Sequence, residues 1–465
     1  MTLIKSISGI RGTIGGKPGE GLTPLDIVKF SAAFATWIKR RNNHPKVVIG
    51  RDARPSGSAL SQLVTQSLVM SGCDVIDLGL TTTPTVELAV TDYSAGGGII
   101  LTASHNPVQW NALKLLNEKG EFISGEDGKK LLNIAETEDF NFSAIEDLGG
   151  VSFIDDYLDI HIKKILELDL VDRDLIASRK FKVVVDAVNS SGGLAIPKLL
   201  SALGVEEVKK LYCEPNGNFP HNPEPLPEHL GEISSILRGG NYDLGVVVDP
   251  DVDRLALVCE NGEFFGEEYT LVSVADYILS IEAGNTVSNL SSTQALSKIT
   301  SRWGGTYYAA AVGEVNVVSK MKEVGAVIGG EGNGGIIYPA LHYGRDALVG
   351  VALFLTSLAR SEKKVSELRA GLPDFYISKN KIELTPDIDV DLILHKIKDL
   401  YSSQEISTID GIRIDFIKES EWVHLRKSNT EPIIRIYAES DSIDKANLLA
   451  SGIMSSIQEL VTQKA

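Results

Sequence analysis

The sequence predicts an α/β chain made of three related units followed by a fourth of a different kind. Three observations carry that expectation. Short apolar, β-branched runs alternate with helical stretches through most of the chain, the pattern of βαβ units. Three of those runs stop abruptly at loops crowded with reactive side chains, at residues 102–107, 249–254 and 330–335. Beyond residue 372 the pattern changes, with runs at 411–416 and 421–425 and a terminal helical stretch from Ser442.

Size and composition set the frame. At 465 residues the chain exceeds what one core holds, and a prior of about 150 residues per domain gives about three domains. A formal charge of -17 argues against nucleic acid or an anionic membrane as partner. An anionic ligand would therefore need local basic groups. Cys73, Cys213 and Cys259 form no C-x-x-C pair and no disulfide framework, which points to a reducing, cytoplasmic setting. Residues 1–5 lack a signal-peptide apolar region. The strongly apolar segment 347–359 is too short to span a bilayer and reads as a core helix.

In order along the chain, residues 24–41 predict an amphipathic helix, with strands at 46–50, 74–78 and 98–101. The acidic, poorly periodic stretch 136–150 reads as a connector. From Val151 a second unit follows, with a strand at 181–186, a turn at Gly192-Gly193 and a helix over 194–203 whose apolar face is Leu194, Ala195, Leu199, Leu200 and Leu203. The proline-rich segment 215–227 reads as a surface loop, and strands follow at 244–248 and 255–259. The third unit opens with a strand at 285–290, and 325–329 leads into a glycine-rich loop. The shared layout suggests a divergent triplication without a strict period. The boundaries so drawn are 1–150, 151–258, 259–372 and 373–465.

Ser104, at the tip of a buried strand, is followed by the turn-forming Asn106-Pro107. It either caps the next helix or acts as a nucleophile. The adjacent His105 invites a serine-hydrolase reading, but neighbours in sequence rarely face each other and the glycines of a nucleophile elbow are missing. Asp249, Asp251 and Asp253 at i, i+2 and i+4 put hard anionic oxygens on one turn, which suits Mg²⁺. An EF-hand fits poorly, because Arg254 stands where its glycine belongs; an ordinary acidic surface turn is the alternative. Gly330, Gly332 and Gly335 satisfy G-x-G-x-x-G, yet Pro339 blocks the helix that a dinucleotide site would need. Arg426, Lys427, Ser428, Asn429, Thr430 and Arg435 make either a phosphate cradle or a solvated basic turn.

Taken together, a serine loop, a triple-aspartate loop, a glutamate-bearing glycine loop and a basic loop in this order resemble the α-D-phosphohexomutase family over essentially the whole length. The resemblance implies three α/β domains with mixed sheets and a smaller C-terminal α+β domain around a central cleft. It implies that Ser104 is a phosphoserine, with Mg²⁺ between its phosphate and Asp249, Asp251 and Asp253. By the same resemblance Arg11 contacts phosphate, Arg254 lies beside the phosphoserine, and Lys114 is a general acid or base. Glu331 and Asn333 would read sugar hydroxyls, while Arg426, Ser428, Asn429, Thr430 and Arg435 would hold the non-reacting phosphate. The implied ligand is a sugar phosphate, with a hexose 1,6-bisphosphate as activator and the protein a monomer or homodimer. Phosphoryl transfer is mostly positioning and charge neutralisation, which such a set supplies.

The chain departs from the family pattern in three places. Ala112 replaces a common glycine, and Gly332-Asn333 replaces the Gln-Ser or Met-Ser of common bacterial subgroups, as in archaeal-type members. Gly313-Glu314 stands where glucose and mannose enzymes tend to carry a histidine, which leans toward phosphoglucosamine mutase and brings Glu314 into the site. A phosphoglucomutase/phosphomannomutase, a metal-dependent phosphatase and a sugar-phosphate binding protein are the competing expectations.

Overall fold

The computed structural model describes residues 2–6, 9–42, 45–383, 389–427 and 433–462. The chain divides into two compact units, Met1–Ile278 with Asn333–Arg369, and Leu279–Gly332 with Ala370–Ala465.

In the first unit a seven-stranded mixed sheet runs in the order Ile4–Ser6, Gly9–Thr13, Trp110–Leu116, Gly97–Leu101, Lys46–Arg51, Asp74–Leu80, Val151–Phe153. Its last four strands are parallel, and Gly97–Leu101 is buried along its whole length because helices cover both faces. The first helix, Pro24–Lys39, starts at a capping box between Thr23 and Asp26 with proline in its first turn, and buries Phe30, Phe34 and Trp37. Val151–Phe153 pairs with Asp74–Leu80, so the first sheet extends past residue 150. Register fixes what matters next: Arg51 lies opposite Leu101 on parallel strands, so the loops that follow both leave the sheet side by side.

A second sheet orders Leu255–Cys259, Leu244–Val248, Lys182–Asp186 and Glu207–Leu211. Leu244–Val248 and Leu255–Cys259 are antiparallel with Val248 opposite Leu255, so residues 249–254 form their hairpin connection. One expectation fails here. Gly192-Gly193 is not a turn but the start of the helix Gly192–Ala202. A Cβ on Gly193 would come within 2.3 Å of the Cys213 carbonyl oxygen, so close packing explains the glycine. Leu194 is 43% exposed, because at about 100° per residue it lies on the side of the helix opposite Leu199 and Leu203, so it does not belong to the apolar face. The helix Ala347–Ser361 is buried along most of its length, as a core helix should be.

The second unit holds the parallel strands Tyr307–Ala310, Asn285–Asn289 and Ala326–Glu331. It also holds an antiparallel sheet ordered Tyr376–Glu383, Ile433–Ser440, Glu421–Lys427, Ile412–Phe416, Glu405–Ser407. Helices Val390–Leu400 and Ile443–Thr462 bury Ile393, Ile397, Ile453 and Ile457 against Val423, Leu425, Ile434 and Ile436 of that sheet. Among the described residues no helix is long and apolar enough to cross a membrane.

Candidate active site

The strand Gly97–Leu101 ends one residue before Thr102, and Ser104 then takes a left-handed backbone conformation at φ 48°. That conformation costs a non-glycine residue roughly 1–2 kcal/mol, so its surroundings must enforce it. It delivers Ser104 Oγ to the hairpin connection, where the hydroxyl donates to Asp249 Oδ2 at 2.8 Å. His105 Nδ1 lies 3.4 Å from the same Oγ, closer than the argument from neighbouring residues allows, though that distance marks a weak bond. Burial, with help from the Arg254 charge, pushes His105 down to about 2, so its ring stays neutral.

Asp249, Asp251 and Asp253 are fully buried, and their ligand atoms lie within 4.8 Å of one another. Each carboxylate is held. Asp249 Oδ1 accepts the backbone N–H of Asp253 (3.2 Å) and Arg254 (3.1 Å). Asp251 Oδ2 accepts from Thr83 Oγ1 (2.6 Å) and Lys114 Nζ (2.7 Å). Asp253 Oδ2 accepts from Lys114 Nζ (3.2 Å) and Arg345 (2.7 Å). Burial and the Asp253 and Asp251 charges push Asp249 well above the usual carboxylate range. Burial acts the same way on Asp253, but Arg345 and Lys114 outweigh it and hold that carboxyl below its usual value. For Lys114, burial opposes the charge, and the Asp251 and Asp253 carboxylates overcome it and hold the ammonium above its ordinary range.

The donor set fits a hard divalent cation. Asp251 Oδ1 and Asp253 Oδ1 are buried without a hydrogen-bond partner, an arrangement that costs free energy unless a cation takes them. All-oxygen, anionic donors are the chemistry of Mg²⁺ rather than of a softer metal.

The other expected residues fall as follows. Arg11 donates to Asn106 Oδ1 (3.1 Å), beside the serine loop. Arg254 pairs with Glu224 at 3.3 Å, on the proline-rich loop, and Glu224 lies 3.9 Å from His105 Nε2. Asn333 Oδ1 accepts the Gly335 N–H (3.2 Å), closing a tight turn. Glu331 ends a strand of the second unit, where its Oε1 accepts from Asn289 (2.9 Å) and the Gly313 N–H (3.1 Å). Glu314 is buried at the start of the helix Glu314–Val324. Arg426 and Arg435 face each other across adjacent antiparallel strands, and Arg426 pairs with Asp410 at 2.8 Å. Ser428, Asn429 and Thr430 lie outside the described residues.

Sequence reasoning passed over Thr83, Arg345, Asp52 and Arg54. A signal existed for the last two, since Asp52-Ala53-Arg54 follows the buried strand Lys46–Arg51 just as the reactive loops follow theirs. Asp52 and Arg54 are both buried and paired at 3.0 Å.

Comparison with known proteins agrees with this architecture. Four models for phosphoglucomutase/phosphomannomutase match in succession: α/β/α domains I, II and III over residues 3–142, 157–262 and 267–376, and the C-terminal domain over 389–456. The phosphoglucomutase/phosphomannomutase of Thermococcus kodakarensis is 36% identical over 442 residues, covering 94% of this chain and 95% of that protein. A protein of Methanopyrus kandleri named probable phosphoglucosamine mutase is 30% identical over 462 residues, 98% of each. The crystal structure of a phosphoglucomutase/phosphomannomutase family protein from Burkholderia thailandensis aligns with a TM-score of 0.85 at 26% identity, covering 99% of this chain and 98% of that one. Fold and matches together define the class, a phosphohexomutase. The chain belongs to the phosphoglucomutase/phosphomannomutase family.

Proposed function

We propose that this phosphohexomutase interconverts hexose 6-phosphate and hexose 1-phosphate through a phosphoserine at Ser104 and a hexose 1,6-bisphosphate intermediate, with glucosamine phosphate its preferred substrate. One observation carries the mechanism: Ser104 Oγ is aimed, from a strained turn, at a buried triple-aspartate loop. Domains at 1–150, 151–258, 259–372 and 373–465 would then supply the phosphoserine, the metal loop, the sugar-reading loops and the distal phosphate site.

In the first half-reaction the P–Oγ bond of phosphoserine breaks as a P–O bond to the free sugar hydroxyl forms. Lys114, kept charged by Asp251 and Asp253, gives a proton to the departing Oγ and takes up the proton the hydroxyl loses. The second half-reaction reverses these steps at the other end of the turned bisphosphate. Asp249, Asp251 and Asp253 would hold Mg²⁺, which when bound neutralises charge on the transferring phosphoryl group. Arg11 and Arg254 lie near the serine loop as further phosphate contacts. Glu331 and Asn333 read sugar hydroxyls. Arg426, Arg435, Ser428, Asn429 and Thr430 take the non-reacting phosphate. Arg426 and Arg435 support this role, because they stand directly opposite each other and Asp410 pairs with Arg426.

The preference for glucosamine phosphate rests on Glu314, an acid that can accept a hydrogen bond from a 2-amino group, and the Methanopyrus relative's name agrees. The Thermococcus relative's name supports the second reading, glucose and mannose phosphates. Kinetics on glucosamine, glucose and mannose 1-phosphates, with and without the matching 1,6-bisphosphate, test both. A mutase needs the bisphosphate to prime Ser104, whereas a phosphatase releases inorganic phosphate and ignores it. Highest kcat/KM on glucose or mannose phosphate would overturn the glucosamine assignment alone.

A further inference from the structure

Both peptide groups that flank Ser104 are held by side chains. Its N–H donates to Thr102 Oγ1 (2.9 Å), and its carbonyl accepts from Arg54 (2.5 Å). Arg54 is 1% exposed, and all five of its N–H donors are engaged. One terminal nitrogen reaches the carbonyls of Ser104 and Asn106, the other those of Pro107 (2.7 Å) and Trp110 (3.1 Å). Nε donates to Asp52 Oδ2 at 3.0 Å. Asp52 closes the circuit, because the same oxygen accepts the Thr102 hydroxyl (2.7 Å) and its Oδ1 accepts the Arg54 backbone N–H (3.0 Å). The Phe219 ring lies 5.1 Å from the guanidinium. A single planar fork thus gathers three carbonyls of the serine loop and that of Trp110, which opens the next strand; a lysine, with all its donors on one nitrogen, cannot do this.

We infer that Arg54 is the positioning residue of phosphoryl transfer: with Asp52 and Thr102 it fixes the left-handed turn that aims Ser104 Oγ at the aspartate loop. Arg54 acts through the main chain of Ser104 and touches no substrate. The inference rests on Ser104 being the phosphoryl carrier. Without the clamp the turn relaxes to a right-handed conformation, and Oγ leaves its line to Asp249.

The test uses the full-length, Mg²⁺-supplied enzyme with Arg54→Lys, Arg54→Ala and Thr102→Val, and Ser104→Ala alongside. A misplaced reacting atom should lower kcat about 100-fold in the Arg54 variants, with KM for the hexose 1-phosphate nearly unchanged. Thr102→Val should show the same split, smaller in size. Guanidinium ion should restore part of the activity of Arg54→Ala and none of that of Ser104→Ala. Should Arg54→Ala not fold, Thr102→Val, which removes only a hydroxyl, carries the test. Normal kcat in folded Arg54→Lys and Thr102→Val beside an inactive Ser104→Ala overturns the clamp alone. A loss confined to KM overturns it too. Full activity in Ser104→Ala overturns the carrier reading, and the clamp with it.

Discussion

The serine and aspartate loops of one compact unit and the basic strands of the other handle charge in opposite ways. In the unit containing Ser104, the charges are buried and cross-linked: Asp52, Asp249, Asp251 and Asp253 are essentially inaccessible, and each is fixed by two or more partners. In the unit containing Arg426, the basic groups line up instead. Lys381, Arg435 and Arg426 are direct neighbours across three antiparallel strands, and Lys381 and Arg435 are exposed. The burial of unpaired carboxylate oxygens is costly and demands a cation at a fixed place. A row of like charges near solvent is only mildly unfavourable and suits an anion that comes and goes. The proposed chemistry and the proposed recognition thus fall on sites of different physical character, buried in one unit and accessible in the other.

The sharpest way to break this contrast is Ser104→Ala. If the buried cluster exists to serve one hydroxyl, the variant should lose activity by on the order of 10⁴-fold or more. Folding should change little, since one hydroxyl contributes about 1 kcal/mol. Intact-protein mass spectrometry should find a phosphoryl adduct on the unmodified chain, absent from the variant and removable by a hexose 1-phosphate. Residual turnover at the original rate would show that the cluster serves something else.

The aspartates come next. Chelation should abolish turnover and Mg²⁺ should restore it. Asp251→Asn keeps the shape and removes one anionic ligand, so calorimetry should record Mg²⁺ binding weakened by at least about ten-fold. Undiminished binding would mean that the orphaned oxygens of Asp251 and Asp253 are stabilised by some other route.

Effects among the basic strands of the second unit should be smaller. A charge-assisted hydrogen bond to phosphate is worth roughly 1.5–3 kcal/mol, so Arg426→Ala should cost about ten-fold or more in kcat/KM. Asp410→Asn should cost less. Asp410 pairs with Arg426 and also accepts the Val312 N–H (2.9 Å), tying the basic strand to the loop before Glu314. A phosphate-free sugar should be indifferent to Arg426→Ala. An equal loss for both ligands would mark Arg426 as structural.

The same contrast explains what was legible in the sequence. Ser104 and the three aspartates stood out because each group interrupts a wholly apolar strand, and Gly97–Leu101 and Leu244–Val248 are indeed buried throughout. Their supports did not stand out. Thr83 and Arg345 reach the aspartate loop from separate elements, one side chain at a time, and such convergence has no spacing to read, whereas Arg54 follows a buried strand and was passed over. Gly192-Gly193 was misleading for a related reason: glycine there answers to the Cys213 carbonyl, a contact made by tertiary packing rather than by a turn. Domain class was easier, because the change from sheets that contain parallel pairs to a wholly antiparallel sheet after residue 372 follows a change of pattern in the chain itself.

The smallest expected effect tests whether the second unit chooses the sugar. Glu331 is steadied by Asn289 and by the Gly313 N–H, so the residue next to Gly313 follows a backbone group held by that carboxylate. That residue is Glu314, buried at a helix start whose preceding glycine has φ 113°, a conformation closed to most side chains. A carboxylate so placed is an acceptor for the 2-amino group of glucosamine phosphate, but it also accepts from a 2-hydroxyl. Sites discriminate strongly against analogues that lack a donor and only modestly between two donors. Glu314→Gln keeps size and an acceptor while removing the negative charge. Its expected outcome is a several-fold fall in the kcat/KM ratio of glucosamine over glucose phosphate, on the order of 1 kcal/mol, with glucose phosphate turnover spared. Competition assays with both sugars in one vessel measure that ratio directly. An unchanged ratio would remove Glu314 from sugar selection and leave the Ser104 chemistry untouched.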